Sequence, residues 1–269
     1  MYSEEIPYTI ENIDMIDPAD RRANWDISFG LQAVDGLKPS DYMRDLAEDN
    51  VSGKKTYGQV VDAVEEYYSG EKVNNNEREA DFVSLRMSLV LAEKAFTFSP
   101  VTLKAIHRKL FTGVFEQGIK AGEHRKYNIS KAERVLNGES VLYSGADTIS
   151  ETLIYDFERE KDFDYASKSS AEQAHHVMRF LSGLWQIHPF AEGNTRTCAV
   201  FIIQYLRALG FTVDSEPFKE HSQYFRDALV MDNYGKGKKP EYLIMFTENL
   251  LLGGNHDLDF EIPPVSTGG

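Results

Sequence analysis

The chain has 269 residues, of which 42% are hydrophobic and 12% aromatic, and this is enough apolar material for one large or two modest folded domains. Its formal net charge is −14. This charge argues against non-specific binding to nucleic acids or anionic membranes, because both require a basic face on the protein. A single positive pocket for a nucleotide remains compatible with it.

The cysteine content and the N-terminus bear on the compartment. Cys198 is the only cysteine, so an intrachain disulfide is impossible and a reducing compartment is favoured. The first residues, Met1 to Ile6, are acidic and lack the apolar stretch of a secretory signal. No apolar run approaches the length needed to cross a bilayer. We therefore expect a cytoplasmic protein with no membrane or nucleic-acid partner.

The N-terminal part of the chain predicts short helices. Residues 1–27 carry scattered prolines and charges that are typical of an irregular lead-in, and a short helical segment follows over residues 28–34. Further helices are predicted for residues 39–49 and 57–68. Each has a small apolar face, so we expect them to pack against another part of the chain. The polar stretch 71–79 is the predicted domain boundary.

The rest of the chain predicts a larger helical domain with one hairpin. The hydrophobic periodicity indicates helices over residues 80–96, 101–111, 146–163, 169–187, 197–209, 220–231 and 240–252. Asn137-Gly138 is a strong type I′ turn signal, and short β-forming runs lie on both sides of it. We therefore predict a mainly α fold with an N-terminal helical module (1–75), a main domain (76–254) and a flexible tail (255–269).

Most of the residues suited to chemistry lie in one stretch, from His188 to Arg196 (HPFAEGNTR). The helix before it, residues 169–187, has apolar residues at the spacing of a single buried face. The helix after it, residues 197–209, is apolar nearly all round and is therefore expected at the centre of the domain. Pro189 ends the first helix, so the polar loop is predicted to lie between two core helices.

This loop offers an anion site, a metal ligand and a base. Gly193 and Asn194 are predicted to open the second helix, with Asn194 as its N-cap, and unpaired N–H groups at a helix start bind phosphate. Arg196 adds a forked cation for phosphate oxygens. Glu192 places a carboxylate where a bridging Mg²⁺ would be held together with the phosphates. His188 can accept a proton from an incoming hydroxyl. Each residue alone is more often structural, but their joint occurrence in this order favours a functional site.

At these residues the sequence resembles the Fic/DOC family, whose signature is His-x-Phe-x-[Asp/Glu]-Gly-Asn-Gly-Arg-x-x-Arg. Members are mostly helical enzymes that transfer a nucleotide moiety, usually AMP from ATP, to a protein hydroxyl. The resemblance implies that residues 76–254 are a Fic catalytic domain, a helical bundle with one β-hairpin flap. It also implies a role for each matched residue: His188 as general base, Phe190 as an aromatic core anchor, Glu192 as Mg²⁺ ligand, and Gly193, Asn194, Thr195 and Arg196 as nucleotide-binding residues.

Two positions depart from that signature. Thr195 stands where the family has its third-position glycine, so its side chain must fit where the backbone approaches phosphate. Ala199 stands where the family has a second arginine, which normally grips the distal phosphate. These changes bear on the identity or the pose of the nucleotide more than on the reaction class.

The resemblance also gives the predicted hairpin a role. In Fic enzymes the flap docks an extended segment of the target by strand addition and places its hydroxyl near the motif histidine. Gly122 to Arg125 resembles the Gly-x-x-Arg that precedes the flap in the family. The target-docking flap would comprise Val135, Leu136, Asn137, Gly138 and Val141. A surface hairpin that closes over the core is the alternative.

The N-terminal module resembles the small antitoxin modules that silence Fic enzymes through the motif [Ser/Thr]-x-x-x-Glu-Gly. The matching stretch runs from Leu31 to Gly36, with Leu31 in place of the hydroxyl residue and Asp35 as the candidate inhibitory carboxylate. Without an arginine at position 199, that carboxylate is expected to lack a charge partner. We therefore expect weakened or absent glutamate-type inhibition, and an ordinary Asp-Gly turn is the alternative.

The function implied by the resemblance is Mg²⁺-dependent protein adenylylation with ATP as co-substrate. The partner would be a protein target that bears a Ser, Thr or Tyr hydroxyl; self-modification and a homo-oligomer are compatible with the family. Three alternatives remain open. They are another nucleotide donor such as UTP, GTP or CDP-choline, the reverse removal of AMP, and a degenerate fold that binds a nucleotide or a partner without turnover.

Overall fold

A computed structural model describes residues 13–70, 74–115 and 118–265, and over these ranges the chain is helical with no β-strand. The α-helices are α1 (Pro18–Gly30), α2 (Asp41–Val51), α3 (Tyr57–Tyr67), α4 (Asn75–Ala92), α5 (Pro100–Phe111), α6 (Ile149–Lys161), α7 (Ser170–Ile187), α8 (Asn194–Ala208), α9 (Glu216–Asp232) and α10 (Glu241–Leu251). The 3-10 helices are Ile13–Met15, Leu31–Asp35, Arg134–Leu136 and Tyr165–Ser167. The prediction of a mainly α fold is confirmed. No helix within the described ranges is both long enough and apolar enough to cross a bilayer.

Helix α8 lies at the centre of the bundle. All of its residues from 194 to 206 are buried, as expected for a segment that is apolar nearly all round. Helices α4, α5 and α7 pack around it. Helix α7 starts with a capping box in which the Ser169 and Glu172 side chains bond to each other's backbone N–H groups. The two helices that flank the polar loop are therefore both anchored in the core.

Helix α1 begins much earlier than predicted. The irregular lead-in was expected to reach residue 27, but the helix starts at Pro18. Asp17 caps it by accepting the Ala19 N–H, and Pro18 occupies the first turn, where its missing N–H costs nothing. The dipeptide Asp17-Pro18 is therefore the start signal of this helix, and it was overlooked in the sequence.

The N-terminal helices share their core with the main bundle. One apolar cluster joins Trp25, Tyr57 and Val60 to Leu85 of α4, while Ile27 on the same α1 packs into the main cluster. Helix α1 contacts both α4 and α9. Helix α4 begins at Asn75, inside the stretch predicted to be a polar linker, and residues 71–73 lie outside the described ranges. The domain boundary itself stays a prediction.

The predicted β-hairpin flap is wrong, although its turn is present. Asn137 and Gly138 both have positive φ (54° and 85°), and the Glu139 N–H donates to the Leu136 carbonyl at 3.1 Å, which is the type I′ pattern. Residues 134–136 form a 3-10 turn instead of a strand. Val135 and Leu136 are adjacent and both fully buried. A strand would point them to opposite faces, whereas the 3-10 turn lets both enter the same core. We call residues 131–143 the docking loop.

The C-terminal segment packs against the rest of the protein over its described part. Leu258 and Ile262 are buried in the main core, and the Asn249 side chain binds both backbone groups of His256 at 2.8 Å. A loose tail is therefore not what the structure shows for residues 255–265, and residues 266–269 lie outside the described ranges. The spaced apolar residues of this segment were the signal for its packing.

Candidate active site

His188 lies at the C-terminal end of α7, in a left-handed conformation with φ 51° and ψ 59°. Among the described residues only Asn137 shares a positive φ without being glycine. Its imidazole Nδ1 lies 3.3 Å from the Trp185 carbonyl oxygen, so Nδ1 carries the proton. The opposite nitrogen, Nε2, is buried and has no hydrogen-bond partner among the described residues. The histidine therefore holds a free lone pair at Nε2, as a general base requires.

The pKa of His188 is well below its ordinary value of 6.5, chiefly because burial penalises the charged imidazolium and also because the Lys131 cation lies nearby. The imidazole is consequently neutral at physiological pH. Its side chain is almost inaccessible, with the residue 3% exposed, and the Tyr143 ring packs on it with centroids 4.4 Å apart. A hydroxyl group can reach Nε2 only if this cover shifts.

The start of α8 is built around Gly193 and not around the asparagine that follows. Gly193 is the N-cap, with φ 73°, and an added Cβ would lie 2.5 Å from the Phe111 ring. Asn194 is the first helical residue, so its predicted role as N-cap is wrong. Its side chain instead accepts the Phe190 N–H at 2.9 Å and donates to the Phe190 carbonyl at 2.8 Å. Asn194 therefore fixes the shape of the loop, while Gly193 lets the backbone pass close to Phe111.

The first three N–H groups of α8 have no partner within the helix. The first hydrogen bond of α8 runs from the Thr197 N–H to the Gly193 carbonyl at 3.0 Å, so the N–H groups of Asn194, Thr195 and Arg196 precede the intrahelical ladder. The Thr195 hydroxyl accepts a bond from Trp185 Nε1 at 2.9 Å. The extra side chain at this position therefore points into the core, where it ties the start of α8 to the end of α7, and does not bond to its own backbone N–H.

Arg196 is buried under two carboxylates and an amide. Its Nη2 donates to Glu79 at 2.8 Å and its Nη1 to Gln32 at 3.2 Å. Its Nε lies 2.7 Å from Asp35 Oδ2, although the N–H does not point at that oxygen, so this contact is an ion pair and not a hydrogen bond. The guanidinium also lies over the Phe111 ring, 4.8 Å from its centroid. Glu79 and Phe111 were not identified from the sequence.

Asp35 therefore has a charge partner, contrary to the expectation from the sequence. The expectation rested on Ala199, which is buried in α8, but the cation that meets Asp35 is Arg196, one turn earlier. The 3-10 helix that ends at Asp35 packs on both α8 and α9, which is how the N-terminal region reaches the start of α8. Whether this contact restrains activity stays a prediction.

Glu192 is the most open residue of the loop, with a side chain 49% exposed and 3.6 Å from the Lys131 ammonium. A hydrogen bond from His107 fixes the Glu192 backbone. His107 Nδ1 accepts the Gly122 N–H at 2.7 Å, so its Nε2 is the protonated nitrogen that donates to the Glu192 carbonyl at 3.0 Å. Burial lowers the pKa of His107 to about 4, so it remains neutral in this role. His107 thus supports the loop, a role that no local sequence pattern indicates.

The described residues fit a Mg²⁺ ion that is held partly by the protein and partly by substrate phosphates. They include no cluster of three or more His, Cys, Asp or Glu that could form a metal cage without help. One accessible carboxylate beside an anion site is nevertheless the usual protein contribution when substrate phosphates supply the other ligands. Glu192 would hold the ion here.

Arg125, which precedes the docking loop in the chain, binds the backbone of the motif. Its guanidinium donates to the carbonyls of His188 at 2.8 Å and Tyr127 at 2.7 Å, and its own N–H donates to the Pro189 carbonyl at 2.9 Å. These bonds satisfy carbonyls that the end of α7 leaves without helical partners. The Gly-x-x-Arg noticed in the sequence is therefore a clamp on the backbone of the motif.

A second network joins the docking loop to α9. The Arg226 guanidinium binds both oxygens of the buried Glu133 carboxylate, at 2.7 and 3.1 Å. The Tyr143 hydroxyl donates to the same carboxylate at 3.3 Å. Because Tyr143 also covers His188, these contacts couple α9 to the cover of the imidazole. Neither Glu133 nor Arg226 was singled out from the sequence.

Residues 97–206, which include the whole loop and its flanking helices, match the model of the Fic/DOC family. No curated protein sequence matches the chain. The similarity to this family therefore includes the residues of the loop from His188 to Arg196.

Several solved structures share the fold. The N-terminal Fic domain of a cell filamentation protein from Bartonella quintana, solved with bound ADP, has TM-score 0.53 and 19% identity over 69% of this chain and 92% of that chain. BepC from Bartonella tribocorum, solved with bound AMPPNP, has TM-score 0.51 and 19% identity over 66% and 86%. A Fic domain containing signaling protein from Bacteroides thetaiotaomicron has TM-score 0.52 and 16% identity, over 86% and 81%. At these identities the likeness concerns the fold alone.

Proposed function

We propose that this chain, which carries a Fic/DOC domain across residues 97–206, transfers AMP from ATP to a hydroxyl side chain of a target protein and to itself. The observation that carries the proposal is the buried lone pair of His188 Nε2 at one end of the loop that opens α8. A buried polar atom without a partner is costly. The Nε2 atoms of His124 and His175 are also without a hydrogen bond, but among these three histidines His188 alone belongs to the loop that opens α8. The nucleotide-bound relatives make a nucleotide donor the natural reactant.

The reaction follows from the positions of these groups. The phosphates of ATP bind the N–H groups of residues 194–196 and the Arg196 guanidinium. A Ser, Thr or Tyr hydroxyl gives its proton to His188 Nε2, and its oxygen bonds to the α-phosphorus. The bond from that phosphorus to the bridging oxygen breaks, and pyrophosphate leaves. When bound, Mg²⁺ would neutralise charge on the phosphates, and Glu192 is the residue that would hold it.

The departures from the family signature motivate the main competing donor chemistry. With Ala199 in the core, the helix provides one arginine at this site instead of two, so the grip on the distal phosphate is reduced. A donor other than ATP would still use the same helix start and the same base. The proposal for ATP rests on the nucleotides bound by the structural relatives, and the other donors are outcomes of the test.

The test is a panel of labelled nucleotides. The full chain is incubated with Mg²⁺ and α-labelled ATP, GTP or UTP, or with CDP-choline, and label on the protein is measured. We expect self-labelling from ATP. Labelling by another nucleotide but not by ATP would show that this other nucleotide is the donor. Nucleotide binding without any labelling would support a degenerate fold without turnover. The assay requires no known target because it reads self-modification.

We further propose that the Asp35 and Glu79 carboxylates compete with nucleotide phosphate for Arg196. Replacing both by their amides (Asp35→Asn with Glu79→Gln) removes two negative charges and keeps the side-chain shapes. The Asp35 and Glu79 carboxylates are partly exposed, although Arg196 is buried. Solvent near the carboxylates screens each ion pair to about 1 kcal/mol or less, and we expect the Kd for ATP to fall by about 3- to 10-fold. Isothermal titration of the unreacted protein measures this Kd.

The matched control is Glu93→Gln, because Glu93 forms an exposed ion pair with Lys109 that is separate from Arg196. It removes one negative charge and is expected to leave the Kd unchanged. If the double variant binds ATP no better than the parent, the carboxylates do not compete with phosphate. In that case weakened inhibition, as first expected from the sequence, is the better account of Asp35.

A further inference from the structure

The main chain of the docking loop already has an occupant. The Val265 N–H donates to the Val135 carbonyl at 2.9 Å, and the Asn137 side-chain amide donates to the Val265 carbonyl at 2.7 Å. Both backbone polar groups of one C-terminal residue are thus bonded to the residues that begin the type I′ turn. One of these bonds joins two main chains, which is the kind of bond by which an extended peptide adds to a backbone edge, and the other comes from a side chain.

Side chains anchor the same segment. Ile262 is 1% exposed and Leu258 is 5% exposed, and both join the main apolar cluster. Between them, the Phe260 ring packs edge-on against Tyr224 of α9, with centroids 5.6 Å apart. The segment therefore offers apolar side chains to pockets of the bundle, in addition to the main-chain bonds at its end.

The charge of the C-terminal segment complements the docking loop, and the stiffness of its backbone favours docking. Arg134, in the docking loop, lies 3.2 Å from the Glu261 carboxylate, and its guanidinium also binds Asp227 of α9 at 2.6 Å. Pro263 and Pro264 restrict the backbone between the Ile262 anchor and the Val265 bonds, so less conformational entropy is lost when the segment docks. Neither proline has an N–H that would need a partner.

We propose that residues 258–265 of this chain are a built-in occupant of the edge from Val135 to Asn137, where the family resemblance places target docking. A competing segment is of the same chemical class: extended, with an acidic residue facing Arg134, an apolar anchor in the Ile262 pocket and a short main-chain pairing beyond it. The inference rests on the proposed function only in taking that competitor to be part of a target protein.

Residues 258–265 compete strongly with a free peptide because they belong to the same chain as the docking loop. A tethered segment experiences an effective concentration in the millimolar range, so a free peptide of equal intrinsic affinity displaces little of it. The docking surface is therefore closed in the isolated chain. It opens to an external segment when the tail is weakened or when the target binds more tightly than residues 258–265 do.

The test uses the full chain and a fluorescent peptide of residues 255–269. In one variant, Ile262→Asp, a charge replaces the apolar anchor. In a second, Val265→Pro, the N–H donor is lost and the backbone is further restricted. We expect both variants to bind the peptide with a Kd at least 10-fold lower than the apparent Kd of the parent chain. A peptide that carries Ile262→Asp and Val265→Asp together is the matched control and is expected not to bind.

Thermal melting establishes that each variant is folded, and the milder Val265→Pro keeps the test decisive if Ile262→Asp unfolds the chain. Equal peptide binding by the parent and a folded variant, or no binding by either folded variant, would overturn the proposal. The measurement needs no nucleotide, so it can fail while labelling succeeds. Conversely, peptide binding without labelling by any donor would support the docking proposal and contradict the proposed transferase activity.

Discussion

Replacing His188 by alanine is expected to lower the rate of nucleotide transfer by about 10²–10⁴-fold, the usual contribution of a general base. The physical reason is that Nε2 carries the free lone pair of the site, since Nδ1 is committed to the Trp185 carbonyl. Label incorporated from α-labelled nucleotide measures the rate, and thermal melting shows whether the variant is folded. Transfer by folded His188→Ala at the parent rate would exclude this residue as the base.

The control for this variant lies on the same helix. His175→Gln changes a histidine near the start of α7 that pairs with Glu248 on α10, and it is expected to transfer nucleotide at the parent rate. The pH profile supplies a second readout. Because burial holds the pKa of His188 well below 6.5, the base stays neutral as the pH falls through that value. The transfer rate should therefore begin to fall only below pH 6.5. A fall centred at pH 6.5, the ordinary pKa of histidine, would contradict the assignment of His188 as the base.

Replacing Gly193 by alanine is expected to destabilise the protein by about 1–3 kcal/mol, the usual cost of overpacking or of a strained backbone. At φ 73° an L-residue is strained, and the new methyl group would lie 2.5 Å from the Phe111 ring. Phe111 also supports the Arg196 guanidinium, so relief of the clash would displace that guanidinium. We expect transfer to fall to background in protein that remains folded, as measured by melting temperature and labelling together.

A matched control exists at Gly183, in the middle of α7, where an added Cβ would meet nothing within 4 Å. Gly183→Ala is expected to raise stability by about 0.5–1 kcal/mol, the helix-propensity difference between the two residues. If Gly193→Ala and Gly183→Ala had similar melting temperatures, the close approach of Gly193 to Phe111 would not matter to the fold.

The loop of the site was predictable from the sequence because its residues are consecutive in the chain. Two helices with clear apolar patterns lie on either side of nine residues, so the position of the loop between His188 and Arg196 follows from hydrophobic periodicity alone. The helix-start N–H groups followed from the same local argument. The cap itself was assigned one residue late, because the requirement for glycine at position 193 comes from Phe111, which lies far away in sequence.

The features that were missed depend on contacts between distant segments. The partners of Arg196 come from residue 35 and from residue 79, and no pattern in the chain pairs these positions. The docking loop had a strong turn dipeptide, but the burial of both Val135 and Leu136 decided its backbone in favour of a helical turn. Turn chemistry is local, whereas this burial is a property of the assembled bundle.

The left-handed backbone of His188 has an evolutionary consequence. At φ 51° and ψ 59°, glycine or asparagine would be accommodated with less strain than histidine, and such strain is typically worth about 1–3 kcal/mol. Selection for stability alone would therefore remove the imidazole. A lineage in which this activity is no longer under selection should lose histidine here early and gain heat resistance as it does so.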